Sequence, residues 1–100
     1  MIDLAAIERF QWDDGNGRKS EDKHGAGQSE AEQVFANVPL LIVADPRHSA
    51  QEERFQALGR GDDGRKLFIS FTLRDDGRTI RVISARAMSR RERSIYEAEA

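Results

Sequence analysis

The alternation of apolar and polar positions divides the chain into short segments. Residues Ile7 to Trp12 alternate loosely and predict a first strand with Phe10 and Trp12 on one face. From Asp13 to Lys23 the pattern is polar. Asp13 or Asp14 can cap a helix there, Gly15 and Gly17 each weaken it by about 1 kcal/mol relative to alanine, and Gly25 supplies a left-handed stop after Lys23-His24. Ser29 and Glu32 form a capping-box pair, and Ala31, Val34 and Phe35 share a helical face, which predicts a second short helix ending before Pro39. Leu40-Leu41-Ile42-Val43-Ala44 is a continuous apolar run bounded by Asp45-Pro46, the pattern of a strand buried on both faces.

Asp45-Pro46-Arg47-His48-Ser49 is a turn by composition and proline placement. Three further strands are predicted over Glu53–Arg60, Arg65–Leu73 and Arg78–Ala85, separated by two segments ending in Asp-Gly, a strong hairpin signal. In the middle strand Leu67, Ile69, Phe71 and Leu73 line one face, and Phe68, Ser70 and Thr72 the other. Ser89 and Glu92 then form another capping box, so a last helix starts near Arg90. The expected order is βααββββα: an α+β fold of two layers, an antiparallel meander with two N-terminal helices packed on it and a C-terminal helix.

A chain of 100 residues forms one domain, here taken as 1–100. No apolar run approaches the roughly 20 residues that cross a bilayer, and the N-terminus lacks the pattern of a secretion signal, so a soluble cytoplasmic protein is expected. Cysteine is absent, which excludes disulfides, thiol chemistry and thiolate metal sites. With only His24 and His48, a histidine-rich metal centre is not expected, and neither is a cofactor. P-loop, dinucleotide and nucleophile-elbow motifs are also missing.

The net charge of −2 hides a skew. Residues 1–50 carry 5 Lys+Arg against 9 Asp+Glu, whereas residues 60–93 carry 10 against 5. Arginine outnumbers lysine 13 to 3, which suits bidentate phosphate recognition. Arg81 and Arg86 lie in and after the last strand, and Arg90, Arg91 and Arg93 crowd a helix start where the macrodipole disfavours cations. A bound phosphate would satisfy both the free N–H groups and the guanidinium groups; a solvated arginine face is the plain alternative.

Other candidates carry two readings each. Lys23-His24 can serve proton transfer and charge stabilisation, or cap a helix C-terminus. His48 can contact phosphate or simply be solvated. Glu52 and Arg54 share a strand face, as an acid/base with a phosphate clamp or as a cross-strand ion pair. Tyr96 can lie by the arginines or anchor the last helix to the sheet.

The ordered set Trp12-Asp13-Asp14-Gly15-Asn16, Lys19, Lys23-His24-Gly25, Glu30 to Phe35, Asp45-Pro46-Arg47-His48, Glu52-Glu53-Arg54-Phe55, Leu58-Gly59-Arg60, Ile83 to Ala87, Arg90-Arg91-Glu92 and Tyr96 resembles the BrnT toxins. The resemblance runs from about Phe10 to Tyr96. It implies a RelE-like fold and a ribonuclease toxin of a type II toxin–antitoxin pair. The implied partner is the ribbon-helix-helix antitoxin BrnA, plausibly in a heterotetramer that binds operator DNA through the antitoxin. The chain departs from the family at Ser20, commonly Asn, and at Ala26-Gly27, commonly Val-Ser, which moves the second helix's expected cap to Ser29.

Residues and resemblance together predict a metal-independent endoribonuclease that activates the ribose 2′-hydroxyl against the adjacent phosphate. Arg54, Arg81, Arg86 and Arg90 or Arg91, with Lys23, would hold the phosphate; His24, or Glu52 in its place, would move protons; Tyr96 would orient the scissile nucleotide. The rivals are a non-catalytic module that binds protein or nucleic acid through its basic face, and a structural domain of a larger assembly.

Overall fold

The computed structural model describes residues 2–12, 27–48 and 52–99. Its strands are β1 (Arg9–Trp12), β2 (Leu41–Ala44), β3 (Arg54–Arg60), β4 (Lys66–Arg74) and β5 (Thr79–Ala87). Helix α1 (Gln28–Val34) lies between β1 and β2, and helix α2 (Arg90–Glu99) follows β5. Strand order across the single sheet is β1-β5-β4-β3-β2. Among the described residues, no helix is long and apolar enough to cross a membrane.

The antiparallel sheet with two N-terminal helices is corrected. Although β2 to β5 pair antiparallel, β1 runs parallel to β5, and the five-stranded sheet is mixed. Alternation in β1 marks its buried face but carries no information about direction. The chain leaves β1 at one edge of the sheet and re-enters as β2 at the other, with α1 lying against β3 and β4 on the way. One α-helix precedes β2 among the described residues, and the helix expected over 13–23 lies outside them.

Helix α1 also starts differently from its prediction. Its N-cap is Gly27, with no side-chain cap bond, and Ser29 sits inside the helix. Glu32 is drawn away from any capping box because its carboxylate accepts from Trp12 Nε1 at 3.0 Å, tying α1 to β1. Ala31 and Val34, three apart on one helical face, are fully buried against Ala57, Leu67, Ile69, Phe71, Ile80, Val82 and Ala85. Each large apolar side chain buried there contributes about 1.5–3 kcal/mol. Phe35 continues the contact, with its ring 5.6 Å from Phe10 and 5.2 Å edge-on to Phe71. Gly59 of β3 permits this close approach, since a Cβ there would stand 2.6 Å from Val34 Cγ1.

The β4–β5 turn holds Asp75, Asp76 and Gly77 at φ of 55°, 57° and 83°, a left-handed run that aspartate and glycine tolerate. Further along this pair, Ser70 faces Ser84 while Phe71 faces Val82, so Ile83 is an extra residue in β5. This bulge reverses the alternation after it. Val82 and Ala85 therefore both reach the core, and Arg81 and Arg86 both lie on the opposite face. In a regular strand, residues five apart would face opposite ways.

Candidate functional site

The pleat leaves one sheet face to α1 and gives the other a set of polar and basic side chains. Register places Arg54 of β3, Thr72 of β4, Arg81 of β5 and Gln11 of β1 in one row across that second face. The neighbouring row is Gln56, Ser70 and Ser84, and the next is Leu58, Phe68 and Arg86. Helix α2 covers the last of these, where Leu58, Met88 and Tyr96 form a small core with Leu41 and Phe68. The Arg54–Thr72–Arg81 row lies beyond that cluster.

Thr72 gives the row its chemical interest. It is 1% exposed, and its Oγ1 has no hydrogen-bond partner among the described residues. A buried hydroxyl left unpaired costs about 1–3 kcal/mol, and this one lies in register between two guanidinium-bearing positions with almost no surface of its own. Arg54 and Arg81 are half-buried on either side. Two cations on one face match the oxygens of a phosphodiester.

Arg86 shares the face but is committed within the protein. Its Nη1 and Nη2 donate to the two carboxylate oxygens of Glu92 at 2.7 and 2.8 Å, and Nη1 also donates to the Ala87 carbonyl at 3.1 Å. Its guanidinium carbon lies 4.3 Å from the Phe68 ring centroid. The hydrogen bonds from Arg86 hold the Glu92 carboxyl below the usual carboxylate range against the opposing effect of desolvation, and Glu92 in turn raises the Arg86 guanidinium. Both groups are therefore charged and neutralise each other.

The predicted Ser89–Glu92 capping box is present: Ser89 N–H donates to Glu92 at 2.8 Å, and Glu92 N–H donates to Ser89 Oγ at 3.1 Å. Glu92 thus serves the helix start and Arg86 together, and places a carboxylate in the first turn among the arginines, which relieves the clash with the macrodipole. Arg90 and Arg91 are exposed on that turn.

Tyr96 is 2% exposed, and its hydroxyl donates to the Pro39 carbonyl at 2.6 Å, the geometry of the anchor that fastens α2 to the entry of β2. Glu52 precedes β3 and pairs with Arg74 at 3.1 Å, with both side chains about two-fifths exposed. Lys23 and His24 lie outside the described residues, as does the side chain of His48. Among the described residues, no three His, Asp or Glu side chains gather as a metal-binding group would. The structure thus places Arg54 and Arg81 in one row, sets Arg86 apart with Glu92, and adds Thr72. Thr72 had a signal in the sequence, since the alternation of β4 sets it with Phe68 and Ser70 against the core-facing residues.

A family model described as the ribonuclease toxin BrnT of type II toxin–antitoxin systems matches residues 12–92, a span that contains Arg54, Thr72, Arg81 and the Arg86–Glu92 pair. The 1.1 Å crystal structure of the Brucella abortus ribonuclease toxin BrnT is similar in fold, with a TM-score of 0.60 at 19% identity, covering 84% of this chain and 100% of that one. Among curated proteins none matches.

Proposed function

The chain belongs to the BrnT family of ribonuclease toxins of type II toxin–antitoxin systems, and we propose that it is a metal-independent endoribonuclease acting on RNA in the cytoplasm. The observation that supports this most is the Arg54–Thr72–Arg81 row, which sets two arginines in register on the sheet face opposite α1. The RNA phosphate sits over that row. The ribose 2′-oxygen attacks the adjacent phosphorus, the bond to the 5′-oxygen breaks, and the products are a 2′,3′-cyclic phosphate and a 5′-hydroxyl end.

Arg54 and Arg81 stabilise the charge that develops on the phosphoryl oxygens. His24 takes the 2′-hydroxyl proton and returns one to the leaving oxygen, with Lys23 beside it as a further cation. Glu52 ranks second for the proton transfer because its carboxylate is paired with Arg74. Arg90 and Arg91, exposed at the head of α2, guide the flanking phosphates. Arg86 and Tyr96 hold α2 in place. The partner proposed is a BrnA-like ribbon-helix-helix antitoxin, through which the complex reaches operator DNA.

The test is incubation of the purified chain with RNA in excess EDTA, followed by analysis of the product ends. Cleavage leaving cyclic phosphate is expected. Cleavage that occurs only with added divalent cation would reject the metal-independent reading, and no cleavage under any condition would reject the enzyme.

A further inference from the structure

Register puts Leu41 and Val43 of β2 beside Leu58 and Gln56 of β3, so these four side chains share the sheet face that carries the arginine row. Helix α2 covers Leu41 and Leu58, and a cleft of about 1020 Å³ stays open next to it. Val43, 50% exposed, and Ile95 of α2, 46% exposed, converge on that cleft from two elements, with Phe68 also in its wall.

The cleft adjoins the proposed phosphate site. Gln56 lines it and is two residues from Arg54 on one strand face, a step of roughly 7 Å. A nucleotide whose phosphate lies on Arg54 and Arg81 therefore reaches the cleft with its base. Gln56 is itself held in one orientation: its Nε2 donates to a carboxylate oxygen of buried Asp45 at 3.2 Å. A carboxylate only accepts, so the amide nitrogen is committed to Asp45 and the carbonyl Oε1 is what Gln56 offers elsewhere. Charge at the cleft has the sign a polyanion needs. Arg47 and Arg91 line it and are exposed; among the described residues the carboxylates there are Glu92, held by Arg86, and Glu99, at the far end of α2.

We propose that this cleft is a nucleobase subsite of the RNA site. The base next to the scissile phosphate packs on Val43, Ile95 and Phe68, and Gln56 Oε1 accepts from its exocyclic amino group. Apolar contact with the base face supplies affinity whatever the base. The fixed acceptor supplies preference: adenine, cytosine and guanine carry the amino donor, whereas uracil brings carbonyl oxygens on both sides of its one N–H. Asp45 is a positioning residue that acts through Gln56. The inference rests on the proposed RNA reading and on the arginine row as the place of the phosphate, but its test reads binding and not cleavage.

Affinities of the full chain are measured for pentanucleotides of adenine, cytosine or uracil and for an abasic pentanucleotide with the same phosphates, all 2′-O-methylated so that no 2′-oxygen can attack. The abasic strand is expected to bind about 10-fold more weakly than the adenine strand, and the uracil strand about 10-fold more weakly than adenine or cytosine. Val43→Ser and Ile95→Ser should weaken adenine binding about 5-fold or more and leave abasic binding unchanged, a difference that loss of folding would not give. Gln56→Met and Asp45→Asn should bring adenine and cytosine down toward uracil. Equal affinity for adenine and abasic strands, or an unchanged ratio between them in both serine variants, overturns the subsite. Equal affinity for adenine, cytosine and uracil overturns the role of Gln56. A chain that binds none of the strands overturns the inference together with the RNA reading, whereas one that binds them with the expected base dependence and cuts no unmodified RNA supports the subsite and rejects the ribonuclease alone. A free chain that is dimeric by light scattering, becomes monomeric with Ile95→Ser and shows no base dependence assigns the cleft to a second copy and overturns the inference.

Discussion

Replacing Arg86 with methionine separates a structural tie from the phosphate ligand that the sequence led one to expect at this position. Methionine retains an apolar stem over Phe68 and removes the guanidinium that meets both Glu92 oxygens at 2.7 and 2.8 Å. The two side chains are 34% and 20% exposed, between the surface regime, where a pair is worth about 0–1 kcal/mol, and the buried regime, where losing one partner costs about 3–5 kcal/mol. An intermediate value of about 1–2 kcal/mol, with roughly 0.5–1 kcal/mol for the cation held 4.3 Å from the Phe68 centroid, gives a loss near 2 kcal/mol. For a domain of this size that lowers Tm by about 10 °C. Urea denaturation followed by circular dichroism measures it as a lower midpoint at constant m. Combining the variant with Glu92→Gln in a double-mutant cycle should return a coupling of about 1 kcal/mol. At a temperature where both proteins are folded, Arg86→Met should cleave RNA within about 5-fold of the unsubstituted chain, since the phosphate row does not include it. Unchanged stability together with a loss of about 100-fold in kcat/KM would refute this reasoning and return Arg86 to the phosphate.

The same pair sets part of the acid response. Because the Glu92 carboxyl is depressed in the folded chain, its stabilisation is complete above the unfolded carboxylate value and is lost as pH falls through the folded one; between about pH 5 and pH 3, the unsubstituted chain should lose more stability than Glu92→Gln, and parallel loss would contradict the assignment. Tyr96→Phe removes one hydrogen bond, to the Pro39 carbonyl; a loss of about 1 kcal/mol in denaturation with unchanged kcat/KM is expected, whereas lost cleavage at full stability would place the phenol in the RNA site.

Periodicity located most strands because a half-buried strand must alternate and Asp-Gly steps punctuate the hairpins. It also marked the start of α2, where Ser89 and Glu92 make the capping bonds their spacing allows. What it could not supply was long-range. Strand direction is invisible in four alternating residues, so the parallel pairing of β1 with β5 had no signal. The carboxylate of Glu32 faced two claims, a cap or the indole of Trp12, and only packing decides between them. The extra residue Ile83 determines whether Arg81 and Arg86 share a face, yet nothing in Thr79 to Ala87 announces a bulge. The arginines were legible as a set; the division between Arg54 and Arg81, which share a row, and Arg86, which is held by Glu92, depended on where α2 docks.

The most direct test of the phosphate row is a double-mutant cycle on RNA cleavage with Arg54→Ala, Arg81→Ala and both, alongside Thr72→Val, which keeps the shape of the side chain and deletes its hydroxyl. Each arginine variant should lose about 100-fold or more in kcat/KM, and the double variant should lose less than the product because both act on one phosphate. Thr72→Val should be as stable as the unsubstituted chain or more so, having shed a buried group without a partner among the described residues, and cleave within about 5-fold of it, because that hydroxyl has no surface open to RNA. Full cleavage by folded Arg54→Ala and Arg81→Ala would contradict the account and move the site off this face of the sheet.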